Sequence, residues 1–332
     1  LGDDDFTWSS GSTTGFSGGD GSDTAHVTAT EYDNTQILDG GDDTSSADTW
    51  VDVLALGGVS GTLNGGTILN WEVVGFDAGQ TIEVSGLVTE TLNVSCGGST
   101  TLSGNSTADD VDGCVNDDTI VITGNTVIAK DIDGAGGSDT ISVSGNASIT
   151  GIVKGDGDGQ DASAADDAND TITIDTTGTV GAVQGGIGND TLALDAGTIT
   201  GNLTGGDGQD TINLNGGTVN AVDGGVGNDA ILLDGTTVAN TVVGGLGDDD
   251  FTWSSGSTTG FSGGDGSDTA LVTAMAYNGS QMLDGGDDVS DGDGFIDQLT
   301  LDGLSLTVNS GTVVNWEAVT VQNGAVNFGP TL

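Results

Sequence analysis

The 332 residues carry 51 acidic and 2 basic side chains, for a formal charge of −49. Such a field repels nucleic acid and anionic membrane surfaces, and it demands counter-cations in any compact state. No apolar run approaches the roughly 20 residues of a membrane-spanning helix. Only five of the acids are Glu, and the many Asp stand at fixed distances after glycine pairs. A general acidic bias explains neither feature, whereas a repeated cation site explains both. Low hydrophobicity with high charge usually signals disorder. Here Val, Ile and Leu recur regularly and Gly is periodic, which points to ordered repeats.

Residues 1–74 open on LGDDDFTWSSGSTTGFSGGDGSDTA, and these 25 residues return unchanged at 246–270, an offset of 245. The match runs ungapped through Leu38–Asp43 (again at Leu283–Asp288) to Asn70-Trp71-Glu72, which returns as Asn315-Trp316-Glu317. Leu1 falls inside a motif that the second copy completes with Gly244-Gly245, so the chain reads as an excerpt of tandem modules. Residues 75–115 show only a weak motif and hold the two cysteines, Cys96 and Cys114. Across 116–288 the motif G-G-x-G-x-D is regular, and 289–332 are transition coils of the second copy.

Full motifs stand at Gly185-Gly188-Asp190, Gly205-Gly208-Asp210, Gly224-Gly227-Asp229, Gly244-Gly247-Asp249 and Gly263-Gly266-Asp268, naming the first Gly, the fourth-place Gly and the Asp of each. An earlier copy ends at Asp23, and degraded copies are read at Asp43, Asp139, Asp170 and Asp288. Successive Asp of the full motifs are 19 or 20 residues apart. After each, apolar residues fall two and four places on, as in Asp210-Thr-Ile-Asn-Leu214, the period of a strand with one buried face. A second turn and a second strand complete the coil. The pattern predicts an all-β, right-handed parallel β-solenoid or β-roll of 19–20 residues and two short strands per coil. The chain would make roughly 16 coils spaced about 4.8 Å apart.

The turn suits Ca²⁺, a hard cation that takes six to eight oxygens from carboxylates and backbone carbonyls. Gly reaches the backbone conformations that aim carbonyls inward, and the Asp adds charge before the chain returns to a strand. The spacing predicts a row of ions along one edge, each shared by neighbouring coils through pairs such as Asp190–Asp210 and Asp229–Asp249. These turns resemble the RTX repeats, the G-G-x-G-x-D-x-U-x nonapeptides of secreted bacterial proteins. The resemblance implies a β-roll that is unfolded without calcium, reaches the cell exterior by a type I route and folds there. In that family the motif recurs about every nine residues. Here it recurs every 19 or 20, and the opposite turn, such as Gly216-Gly217-Thr218, lacks the Asp.

Cys96 and Cys114 lie 18 apart, close to one coil, which brings them within disulfide range on adjacent coils. His26, the only histidine, falls on the outward side of its strand, and the chain has no Arg; acid–base catalysis has little to work with. Phe6, Trp8, Phe251 and Trp253 fall at inward places and read as core. A Thr series at 179, 198, 218, 237 and 258 reads as β-propensity more readily than as an ice-binding face. The functional expectation is an extracellular, non-enzymatic structural protein. It would be a calcium-stabilised module of a filament, adhesin stalk or surface layer, with self-association or tandem modules as partners. A calcium-binding carrier region of a secreted enzyme or toxin, or a ligand-binding adhesin module, is the alternative.

Overall fold

A computed structural model describes residues 2–28, 32, 34–41, 51–59, 61–156, 168–238, 240–273, 276–286, 296–309 and 311–329. The chain divides into two compact units, Leu1–Asp166 with Thr176–Gly178 and Asp167–Asp175 with Thr179–Leu332. Each is a parallel β-solenoid, and the coils number about 14 in all. Among the described residues the only helix is one 3₁₀ turn, Gly65–Thr67. The count falls short of roughly 16 because some coils are longer than 20 residues. Equivalent positions lie 29 apart at Asp23–Asp52 and at Asp268–Asp297.

In the first unit the strands Asp5–Trp8, Thr24–Val27, Val53–Leu56, Trp71–Phe76, Thr89–Asn93, Asp110–Cys114, Ile132–Ala135 and Ser148–Asp156 form one parallel stack. A second stack runs from Gly61–Asn64 through Thr81–Ser85, Ser99–Ser103 and Thr119–Ile122 to Thr140–Gly145. Short strands, Thr107–Ala108 and Val127–Ile128, lie between the two. These coils therefore have three strand segments instead of the expected two. Gly124, with positive φ, makes the expected second turn. The extra break comes after it, at Asp109 between Thr107–Ala108 and Asp110–Cys114 and at residues 129–131 between Val127–Ile128 and Ile132–Ala135.

In the second unit each coil repeats the register of the last. Ile172, Leu192, Ile212, Ile231, Phe251, Ala270 and Leu299 stand directly over one another. All seven are at most 2% exposed. They occupy the place two residues after the motif Asp, so the alternating pattern reads out directly as an internal column. Each aliphatic rung contributes about 1.5–3 kcal/mol of burial. Large aromatics enter the column in the coil that precedes the 29-residue one. Phe251 stacks on Phe261 at 4.4 Å and Trp253 meets Tyr277 edge-on at 5.9 Å. In the first copy Phe6 stacks on Phe16 at 4.7 Å. Trp8, Phe251 and Trp253 are buried and Phe6 is half-buried, as the sequence predicts, while His26 faces solvent.

Candidate cation-binding turns

Each full motif folds as a six-residue turn whose Asp points inward, under the turn and into the coil. Asp190, Asp210, Asp229 and Asp249 are only 1–2% exposed. The carboxylates are chained to one another. The backbone N–H of Asp190 donates to Oδ1 of Asp210, that of Asp210 to Asp229, that of Asp229 to Asp249 and that of Asp249 to Asp268, each at 2.8 Å. Asp170 joins from the other side through Asp190 at 2.8 Å. In the first unit Asp4 donates to Asp23, and Asp118 to Asp139, both at 2.7 Å. The expected Asp pairs are thus brought together, but by a direct hydrogen bond that uses one oxygen of each carboxylate.

A second, exposed ladder stitches the same turn in the opposite direction. In most of these turns the residue before the Asp donates its backbone N–H back to the side-chain oxygen of its predecessor. Examples are Gln209 to Asn189 at 2.6 Å, Asp248 to Asn228 at 3.0 Å and Ser267 to Asp248 at 2.8 Å. The sequence carries the signal, since Asn, Asp, Ser or Gln fills that place in every full motif, but it reads as ordinary turn chemistry.

The glycines make the burial possible. A Cβ on Gly205 would lie 2.2 Å from Asp210 Oδ2 and 2.4 Å from the Gly224 carbonyl oxygen of the next coil. Gly185, Gly224, Gly244 and Gly263 repeat this arrangement with their own Asp. The fourth-place Gly188, Gly208, Gly227, Gly247 and Gly266 all have positive φ. Gly208 also passes so close to the coil before it that a Cβ would meet the Gly188 carbonyl oxygen at 1.7 Å. We expect Gly208→Ala to cost at least 3 kcal/mol or so in urea denaturation, from strain and backbone collision together.

In the insert coils the described rungs are not motif aspartates. Asp43 and Asp288 lie outside the described residues. The rungs of those coils are Asp52 and Asp297, fully buried, whose Oδ1 atoms accept from Asp23 at 2.7 Å and Asp268 at 2.8 Å. Each is followed by a glutamate: Asp52 N–H donates to Glu72 Oε2 and Asp297 N–H to Glu317 Oε2, both at 2.7 Å. Asn-Trp-Glu is therefore a three-residue corner replacing the six-residue turn. Asn70 and Asn315 take left-handed φ of 58°. Trp71 Nε1 and Trp316 Nε1 donate to the carbonyls of Leu38 and Leu283 at 3.1 and 2.9 Å. The longer Glu arm spans what the shorter corner leaves.

The expectation of one acidic edge needs correction in the first unit. Asp23 and Asp52 precede the strands Thr24–Val27 and Val53–Leu56, at the N-terminal end of the principal stack. The turns ending in Asp118 and Asp139 follow Asp110–Cys114 and Ile132–Ala135, at the C-terminal end of that same stack. After Glu72 the acidic row reappears at the opposite end of the stack. The repeat spacing alone cannot show this, because the intervening turns carry no motif.

The electrostatics of the row are unusual. Oδ2 of Asp23, Asp190, Asp210, Asp229 and Asp249 is buried and has no hydrogen-bond partner among the described residues. Burial pushes Asp210 up to about 7, Asp229 to about 6 and Asp249 to about 8, and raises Asp190 as well. No side chain of the protein neutralises them. Lys130 pairs with Asp109 and Asp110, and Lys154 with Asp131 and Asp133, all off the ladder; the second unit has no Lys or Arg. Among the described residues no three acidic, His or Cys side chains converge to hold a metal. What Asp190, Asp210, Asp229 and Asp249 each offer is one orphaned carboxylate oxygen beside glycine carbonyls. That oxygen-only donor set fits a hard cation such as Ca²⁺ and not zinc, which takes nitrogen and sulfur.

Fold and turns together define a β-solenoid repeat protein with an internal aspartate ladder. No family model, curated protein or solved structure matches the chain.

Proposed function

We propose that the chain is a non-catalytic structural module whose coils are tied at their acidic turns by calcium. We further propose that it serves outside the cell in a filament, adhesin stalk or surface layer. One observation carries the reading. Asp190, Asp210, Asp229 and Asp249 repeat coil after coil, each with a buried oxygen lacking a partner among the described residues, and their unit contains no basic side chain. A buried unpaired charge of this kind persists only if something from solution compensates it. A cation lying against each rung does so and links one coil to the next.

The long repeat supports a role in tandem modules or self-association, because a solenoid stacks coils in one direction without closing. The charge of −49 argues against nucleic acid and anionic membranes as partners. The resemblance to RTX turns supports secretion. The single, exposed His and the absence of Arg support a non-enzymatic role.

Far-UV circular dichroism during a calcium titration, with magnesium as control, tests the reading. The expected result is a coil-to-β transition specific to calcium and reversed by chelator. A chain fully folded in chelator at neutral pH and indifferent to calcium overturns it.

A further inference from the structure

The coils between Glu72 and Asp118 are tied differently from the rest. The places that a motif Asp would fill before Thr81–Ser85 and Ser99–Ser103 are held by Gln80 and Gly98, which carry no charge. Neutral hydroxyls take over the inter-coil bonding. Ser95 Oγ accepts the Gln80 N–H at 2.7 Å and donates to the Asp77 carbonyl at 2.7 Å, while the Ser95 N–H donates to Thr100 Oγ1 at 3.0 Å. Ser95 and Thr100 are both 1% exposed.

The first acid of the resumed row, Asp118, also departs from the pattern. Its Oδ1 accepts from Gly97 at 2.6 Å and its Oδ2 from Cys114 at 2.9 Å. Both oxygens are satisfied by backbone donors, so this rung leaves no orphan for a cation. The disulfide falls at the same place. Cys96 and Cys114 join two successive turns, with Cα atoms 5.6 Å apart. Cys114 is itself the residue whose N–H holds Asp118 Oδ2.

We infer that residues 77–118 form a cation-independent joint between two acidic rows, in which buried hydroxyls and the Cys96–Cys114 disulfide do the tying that cations do elsewhere. The inference rests on the calcium reading above. It assigns the disulfide a purpose: the joint stays ordered when calcium is withdrawn and gives the following row a folded edge on which to reassemble.

Amide hydrogen exchange of the full chain, read by mass spectrometry in calcium and in chelator, tests it. In chelator, peptides covering 81–103 exchange on the order of 100-fold more slowly than those covering 191–233, the factor expected from closing a short loop. The paired variant Cys96→Ser, Cys114→Ser loses that difference in chelator and keeps wild-type protection in calcium. Should that pair fail to fold, Ser95→Ala with the disulfide intact speeds exchange around Gln80 in chelator. Equal, fast exchange of both regions in chelated wild type overturns the joint and leaves the calcium reading standing. Equal, slow exchange of both overturns the calcium reading and the joint with it.

Discussion

Replacing Asp210 with asparagine stabilises the metal-free protein and weakens its hold on calcium. The asparagine keeps the oxygen that accepts the Asp190 N–H at 2.8 Å. It puts an NH₂ where the orphaned Oδ2 stands, close to the Gly224 carbonyl, as the shared contacts of a Gly205 Cβ show. A buried oxygen without a partner becomes an amide donor near a backbone carbonyl, and an uncompensated charge disappears. Relief of such a group contributes about 1–3 kcal/mol. In calcium the sign reverses, because a charged ligand has been removed, and affinity falls about tenfold or more. Urea denaturation in chelator and in saturating calcium reads both effects. Asp210→Ala is the control: it also removes the oxygen that Asp190 needs and destabilises the protein under both conditions. If Asp210→Asn is stabilising in calcium as well as in chelator, the row is only an internal hydrogen-bond ladder.

The metal-free protein is expected to lose stability as pH rises, the reverse of ordinary carboxylate behaviour. Burial lifts Asp210, Asp229 and Asp249 from 3.8 to about 7, 6 and 8 in the folded chain. Between pH 4 and 8 the folded state therefore holds more protons than the unfolded one, and stability falls with each step upward. The contribution is fully present below the unfolded value near 4, is lost progressively above it, and is gone once pH has passed the folded values of about 6 to 8. Each unit of displacement corresponds to about 1.4 kcal/mol, so the three together cost the chelated fold several kcal/mol at pH 8. The melting temperature in chelator should fall from pH 4.5 to 8, most steeply below pH 6 where all three groups hold a proton only in the folded state, while calcium flattens the curve by compensating the same charges. Melting temperatures across pH 4.5–8.5 check this. Overall charge repulsion acts in the same direction, and an Asp210→Asn, Asp249→Asn pair separates the two, because it removes the ladder's share of the slope and barely alters −49. A slope unchanged in the pair assigns the effect to general repulsion.

Much of the site is legible in the sequence. Motif spacing places Asp190, Asp210, Asp229, Asp249 and Asp268 on successive coils, and the structure chains them in that order. The first-place glycines read as conformational permits. The structure shows a further reason for them, since Asp Oδ2 and the next coil's carbonyl occupy the space of a Cβ. Burial of the Asp side chain is not legible in the same way. A turn rich in Gly and Asp reads as exposed, and only the inward tilt fixed by the bond from the preceding coil decides otherwise. The rungs of the insert coils are not legible either. Asp43 and Asp288 stand two places after a Gly pair, whereas the rungs Asp52 and Asp297 follow an insertion of variable sequence.

By itself the sequence determined the repeat, the parallel coils, the alternating internal column and the proximity of Cys96 to Cys114. All of these depend on a period that stays near 20 residues through most of the coils. Tertiary structure decided what the period cannot carry: that Asn-Trp-Glu is a shortened corner closing a row, and that the row resumes at the other end of the strand stack. It also decided that Asp118 is satisfied by backbone donors while Asp210 keeps an orphaned oxygen. Residue identity is the same Asp in both. Which donors reach it depends on the path of the neighbouring coil, and that path is set by how the chain stacks upon itself.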